Sequence, residues 1–298
     1  MRKLLILFSI TFFSVNFCNA QEWFTSFDIA KRMAIIQDKM LFVMWEESLD
    51  YEYPLLYNTD NGVLVTIDLS VDTSMDVLIW DHFIPVLLPE SMYDDFLKNT
   101  KKGKDTGYMA KLNDDSIKIM DVNGNILNTK PLYENEQNLS SLIKNYALNT
   151  SFLKQELNNY SKKENLTTSF NLGSKYLDYS IFAQKKIRPE IIELANIYFD
   201  TARGYLMVSE NKNKDAFLQR LELFKIKELL ILDKSKKALR ILKRITEAEI
   251  NEINKSLYVF LNYTTFKLLK QEDKAALLKS KISKVDLKKA EFIIKNNI

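Results

Sequence analysis

Met40-Leu41-Phe42-Val43-Met44-Trp45-Glu46-Glu47-Ser48-Leu49 decides how this chain is read. Its first six residues are continuously apolar, a length and pattern that suit a strand covered on both faces, as in a parallel sheet. Charge begins abruptly at Glu46, and the carboxyl ends of strands are where α/β folds place their sites. A second run, Gly62-Val63-Leu64-Val65-Thr66-Ile67-Asp68-Leu69, is rich in β-branched residues and reads as a second strand buried on two faces, the parallel partner of the first.

Toward the amino terminus, Ser26 can cap a helix through about Gln37, with Ile29, Met33 and Ile36 on one face at helical spacing. Toward the carboxyl terminus, Ser74 to Phe83 reads as a short helix carrying Val77, Leu78 and Trp80 into the core and ended by Pro85. Val86-Leu87-Leu88 reads as a brief strand or a buried turn, Met92 to Lys98 as a helical turn or two, and Lys101 to Gly107 as an exposed loop. Ser116 to Asp121, a turn at Val122-Asn123-Gly124, and Asn125-Ile126-Leu127 form a hairpin pattern, because Asn-Gly supplies positive φ angles. Asn138 or Ser140 then opens a helix to about Leu148.

Four of the five prolines and four of the six glycines precede residue 132, so turn chemistry is concentrated in the first half. Beyond residue 150 the pattern is helical: Ser151 to Lys162, Thr167 to Gln184, Pro189 to Val208, Asp215 to Leu232, Ser235 to Ile245, Glu252 to Lys270, Glu272 to Lys281, and a last helix from Asp286. Short connections at Asp233-Lys234-Ser235 and Gln271-Glu272-Asp273 make antiparallel helical hairpins.

Arg2 and Lys3 precede an uncharged apolar run from Leu4 to Val15, and Cys18-Asn19-Ala20 presents small residues for cleavage before Gln21, the layout of a signal peptide over residues 1–20. The run is shorter than the ~20 residues that cross a bilayer. The alternative is lipid anchoring through Cys18, against which stands Phe17, where a small residue is wanted. Cleavage after Ala20 leaves a mature chain with no cysteine, expected in the periplasm or secreted, whose stability comes from core burial. The formal charge of +3 conceals a division: residues 21–150 carry 11 Lys/Arg against 21 Asp/Glu, and residues 151–298 carry 29 against 18. Either the halves attract or differ by drift, or the basic half meets an anionic partner.

The aromatic-rich start at Trp23, the helix, the core strand ending at Trp45 and the terminal hairpin with its Asp121-Val122-Asn123-Gly124 turn resemble a thioredoxin-like domain over roughly residues 22–148. In that family the tryptophan is followed by Cys-x-x-Cys, where this chain has Glu46-Glu47-Ser48-Leu49. The family's cis-proline before the hairpin strand is replaced by Asn113-Asp114-Asp115-Ser116. The resemblance thus implies a fold without its redox centre and a surface that binds instead. In the second half, Lys236-Lys237-Ala238-Leu239 and Lys274-Ala275-Ala276-Leu277 each follow a long aliphatic helix and a short turn, which is similar to tetratricopeptide-type repeats. The 37-residue spacing from Ala238 to Ala275 departs from the usual ~34, and Ile226 stands where the first helix of such a repeat has a small residue.

With one histidine and no mature cysteine, a zinc centre lacks its usual ligands, and no metal or cofactor is expected. His82 reads as a last-turn helix residue. Asp121-Val122-Asn123-Gly124-Asn125 alternates like a calcium loop, but Ile126 and Leu132 occupy the positions that need Gly and Glu, so it reads as a turn. No glycine-rich phosphate loop, nucleophile elbow or triad is present.

The expected architecture is therefore a signal peptide (1–20), an α/β thioredoxin-like domain (21–150) and an all-α helical-hairpin domain (151–298). The expected function is a non-enzymatic adaptor that binds an envelope or secreted protein, with Trp45, Glu46, Glu47, Ser48 and Asp115 as a binding rim and no role in thiol–disulfide chemistry or nucleic-acid binding. Two alternatives stand beside it. One is an enzyme using carboxylates around Glu46, Glu47 and Asp115; the other is peripheral contact with an anionic envelope surface through a basic face including Lys236, Lys237, Lys243 and Arg244.

Overall fold

The computed structural model describes residues 22–59, 61–99, 106–130 and 137–297. The proposed signal peptide, Cys18 and most of the Lys101–Gly107 loop lie outside them; Thr106 and Gly107 open a helix. All strands lie in the first half, and the second half is helical.

Strand β1 (Met40–Trp45) is buried at all six positions, as its uninterrupted apolar pattern predicts. It is the centre of a three-stranded mixed sheet, parallel to β4 (Phe83–Leu88) and antiparallel to β5 (Lys118–Met120). Phe24 extends the sheet beyond β4, its N–H donating to Pro85 O at 3.1 Å and its carbonyl accepting from Leu87 N at 2.9 Å. Pro85 therefore sits inside a strand instead of ending the preceding helix. Its carbonyl points toward Phe24, so its missing N–H falls on that outer side, where it removes nothing from the ladder with β1.

The second β-branched run is corrected in its partner and its burial. Strand β3 (Leu64–Asp68) pairs antiparallel with β2 (Pro54–Asn58) in a separate ribbon, and Leu64 is more than half exposed. A five-residue return from Asn58 to Leu64 closes this hairpin locally, which leaves β1 to pair with Phe83–Leu88 through helix α2 (Asp76–His82). Periodicity cannot separate these two outcomes.

Helix α1 (Phe27–Gln37) begins where expected, but Ser26 makes no side-chain cap hydrogen bond; only its carbonyl receives Ala30 N at 3.0 Å. The inward stripe is Phe27, Ala30 and Ala34, and Ile29 and Ile36 are exposed. Two alanines permit the close approach to the sheet that bulkier isoleucines would block. In α2 the buried residues are Ile79 and Trp80, and Val77 faces out. Helices α3 (Tyr93–Asn99) and α4 (Thr106–Asn113) precede β5, and α5 (Leu139–Tyr146) is capped by the Asn138 side chain, which accepts from Ser141 N at 2.9 Å.

The second half contains α6 (Lys154–Lys162), α7 (Leu166–Tyr179), α8 (Arg188–Val208), α9 (Lys214–Ile231), α10 (Ser235–Leu242), α11 (Lys255–Leu268), α12 (Glu272–Lys279) and α13 (Lys284–Lys295), one for each helical pattern read from the sequence. The α9–α10 and α11–α12 turns close identically. Lys234 N donates to Leu229 O at 2.7 Å and Gln271 N to Phe266 O at 2.9 Å, across left-handed residues Asp233 (φ 60°) and Lys270 (φ 56°). This is the 6→1 closure of a helix C-terminus, repeated at an offset of 37 residues that also superposes the buried Ala238 and Ala275.

Helices α7 and α8 form the tightest pair. A Cβ added at Gly173 would lie 2.7 Å from the Phe199 ring and 3.0 Å from Ala195 O. Across α7, α9 and α13, Asp178 is held by the ammonium groups of Lys227 and Lys289, the latter at 2.7 Å. Burial pushes the Asp178 carboxyl up, and the two lysines overcome it and hold it below its ordinary value. One continuous apolar cluster runs through both halves, from Phe27 to Ile293. Replacing Gly173 by Ala is expected to lower stability by about 1–3 kcal/mol through forced separation of α7 and α8, seen as a lower urea midpoint at unchanged slope; an unchanged midpoint would show that the helices part freely.

Candidate functional site

The carboxyl end of β1 opens into a single 3₁₀ turn, Glu46–Leu49. Trp45 is buried, with Tyr93 and Phe96 edge-on to its ring at 6.0 and 6.1 Å. Glu46 is exposed. Both carboxylate oxygens of Glu47 accept from Glu90 N at 3.0 Å, so this side chain caps the turn that leads into α3. The Ser48 hydroxyl is buried and has no hydrogen-bond partner among the described residues. Asp115 is exposed, and its carbonyl accepts from Tyr53 OH at 3.3 Å.

The structure brings the Asp114–Lys118 loop against Trp45, but no hydrogen bond or ion pair joins Glu46, Glu47 or Ser48 to Asp115 among the described residues. Of these carboxylates, Glu47 is held by Glu90 N and Glu46 and Asp115 are exposed.

Two buried lysines that the sequence reading passed over hold this region. Lys118 Nζ, wholly buried, donates to Asp114 O at 2.6 Å and Ser116 O at 2.8 Å and lies 5.4 Å from the Trp45 ring centre. Burial pushes its pKa down to about 8, against the opposing pull of Asp114. Lys111 Nζ donates to Ser116 Oγ at 2.5 Å. The ammonium groups thus fix the Asp114–Lys118 loop. Their isolated positions between apolar residues in the sequence carried no signal of this pairing.

A cavity lies elsewhere. A cleft of about 1100 Å³ is walled by Phe27 and Arg32 of α1, Phe96 of α3, Tyr160 of α6 and Ile197 of α8, with the Asn123-Gly124-Asn125 turn at its base. That turn is rigid for identifiable reasons. Asp121 Oδ1 accepts from Asn123 N at 2.9 Å and Asn125 N at 3.0 Å, and Gly124 has φ +83°. A Cβ on Gly124 would also meet the Phe27 and Phe96 rings at 3.2 and 3.3 Å.

Asp121 is also the junction with the helical half. Its second oxygen accepts from Tyr198 OH and from Tyr176 OH at 3.3 Å, and the two rings stack at 5.6 Å. Asn123 and Asn125 amides donate to Tyr198 OH at 2.8 and 3.1 Å. Burial raises the Asp121 carboxyl, opposed by the Tyr198 hydroxyl and the turn's N–H groups. Around the mouth, Lys31 pairs with Asp28 at 2.9 Å, and exposed Arg32 has no ion-pair partner among the described residues. No group of three or more His, Cys, Asp or Glu that could hold a metal occurs among the described residues.

On α10, Lys236, Lys237 and Arg240 are exposed, as are Lys243 and Arg244 just beyond it, and Ala238 and Leu242 point inward. At 100° per residue those five cations occupy about a third of the circumference, with no ion pair among the described residues.

No family model, curated protein or solved structure matches this chain. Among the described residues, no helix is long and apolar enough to cross a membrane.

Lys118 provides a pH test of the site. Its folded pKa lies below the unfolded value near 10.5, so the folded state releases the proton first. Stability relative to a Lys118→Met variant is expected to rise between about pH 8 and pH 10.5, by no more than about 3 kcal/mol, in urea titrations of both proteins. A difference that does not vary with pH would contradict a buried, charged Lys118.

Proposed function

We propose that this is an exported binding protein, a thioredoxin-like domain without a redox centre joined to a tetratricopeptide-like α-hairpin array, and that it captures a segment of a partner polypeptide in the cleft between them. The central parallel pair β4–β1, continued by an antiparallel hairpin with an Asp-x-Asn-Gly turn, supports the thioredoxin-like reading. The repeated closure of two helical hairpins at one offset supports the array. Arrays of this kind commonly present concave surfaces to other proteins.

The observation that carries the proposal is the cleft itself. Its walls come from both halves, and it combines aromatic surface at Phe27, Phe96 and Tyr160 with charged Asp28, Lys31, Arg32 and Asp95. Polar and apolar lining in similar measure offers an extended polypeptide both packing surface and hydrogen-bonding groups. The carboxylate-enzyme alternative has less to support it, with Glu47 held by Glu90 N and Glu46 and Asp115 exposed.

A photoreactive benzophenone side chain placed at Ser161, on the cleft wall, and separately at Glu52, outside it, tests this in the native envelope. Mass spectrometry is expected to identify one recurrent protein adduct from Ser161 and not from Glu52. Adding Arg32→Glu is expected to cut that adduct several-fold. Identical adduct profiles from both positions, or none from Ser161, would contradict a partner-binding cleft.

A further inference from the structure

Three phenyl rings from distant parts of the helical half meet on its surface. Phe152, Phe182 and Phe292 are 43%, 50% and 44% exposed, yet Phe182 touches both others, with ring centres 6.3 Å from Phe152 and 4.9 Å from Phe292. They come from the turn before α6, the α7–α8 connection and α13, so this is an assembled patch and not one slipped side chain. Contiguous exposed aromatic surface of this kind marks an interaction site.

Its border is cationic. Lys175 Nζ sits 4.3 Å from the centre of the Phe152 ring. Lys288 and Lys295 lie one turn either side of Phe292 on α13, Lys186 follows Phe182 closely, and Lys144 abuts the same connection through its carbonyl, which receives Gln184 Nε2 at 2.9 Å. None of these four has an ion-pair partner among the described residues. The acids nearby are mostly committed: Glu156 to Lys175, Asp178 to Lys227 and Lys289, Asp233 to Lys185. Glu291, next to Phe292, is exposed and makes no ion pair among the described residues.

We infer that this patch docks the helical half onto an anionic phospholipid surface, with the phenyl rings entering the headgroup layer and the lysines facing phosphate. The composition separates this from a protein interface. Protein interfaces favour Trp, Tyr and Arg and exclude Lys, whereas the cations bordering these rings are lysines, with Tyr179 6.2 Å from Phe152 and Glu291 next to Phe292 as other polar neighbours. Lysines flanking apolar aromatic residues suit the interfacial layer, where each ammonium adds attraction to anionic lipid. The net charge of the helical half, 29 Lys/Arg against 18 Asp/Glu, adds long-range attraction of the same sign.

Co-sedimentation of the whole mature chain with vesicles tests this, using phosphatidylglycerol mixed with phosphatidylethanolamine, and phosphatidylcholine alone. The expected result is binding to the anionic vesicles only, weakening steeply as salt rises. The double variant Phe182→Ser/Phe292→Ser is expected to bind at least about tenfold more weakly with an unchanged circular dichroism spectrum, since each replaces a half-exposed ring. Lys186→Glu/Lys288→Glu is expected to weaken binding and flatten its salt dependence. Equal binding to both vesicle types, no binding to anionic vesicles, or undiminished binding by the phenylalanine variant would overturn the inference. The Ser161 cross-link reads a different surface, so its outcome is independent of this one.

Discussion

The Asp121 carboxylate receives hydrogen bonds from two turn amides of the α/β half and from two tyrosine hydroxyls of the helical half, and it does so buried, with no ion-pair partner among the described residues. A buried carboxylate is tolerated only where its lone pairs are occupied, so each half supplies what the other's chemistry requires. Without Tyr176 and Tyr198 the second oxygen would be buried bare. Without Asp121 the turn would lose the acceptor that shapes it, and the base of the cleft would lose its form. The adjoining loop adds a second tie: Thr129 Oγ1 lies 3.3 Å from Glu193 and Lys130 pairs with the same carboxylate at 3.1 Å. The cleft exists because these contacts keep α1 and α3 at a fixed distance from α6 and α8.

Elements whose identity is local were legible in the sequence. The eight helices after residue 150 follow from periodicity and helix-forming composition, and the turn at Asn123-Gly124 follows from the positive φ angle it needs. What periodicity omits is the partner. Val63 to Leu69 has strand character in isolation, but its pairing is set by a short return to Pro54–Asn58, and loop closure favours the nearer partner. In α1 the apolar pattern pointed to Ile29 and Ile36, whereas close packing selected Ala30 and Ala34. Hydrophobicity ranks side chains by transfer from water; the sheet selected by volume.

The end of the central strand was legible, but not what the side chains there do. Trp45 to Ser48 was correctly located at the end of a central strand, but the acids there cap backbone or face water. The buried lysines that shape the region, Lys118 and Lys111, gave no sign in sequence because their partners are nearby main-chain carbonyls and a serine hydroxyl whose burial is set by packing, and Asp121 was legible as a turn residue but not as a partner of Tyr176 and Tyr198. The same division runs through the whole molecule. Buried ionisable groups are committed to internal partners, as Asp178 is between two lysines, and the unpaired charge on α10 and around Phe182 faces outward, where it is available to a ligand.

A junction of this kind is expected to make the two halves unfold as one cooperative unit, and the chain carries its own reporters. All three tryptophans, Trp23, Trp45 and Trp80, lie in the first half, and α6 to α13 dominate the far-ultraviolet circular dichroism. The most direct measurement is urea unfolding followed by both signals on one sample. Coincident midpoints for the natural protein that separate in an Asp121→Ala variant are the result expected of a shared core tied through this carboxylate. Separate midpoints in the natural protein, or coincident ones that survive loss of Asp121, would contradict it.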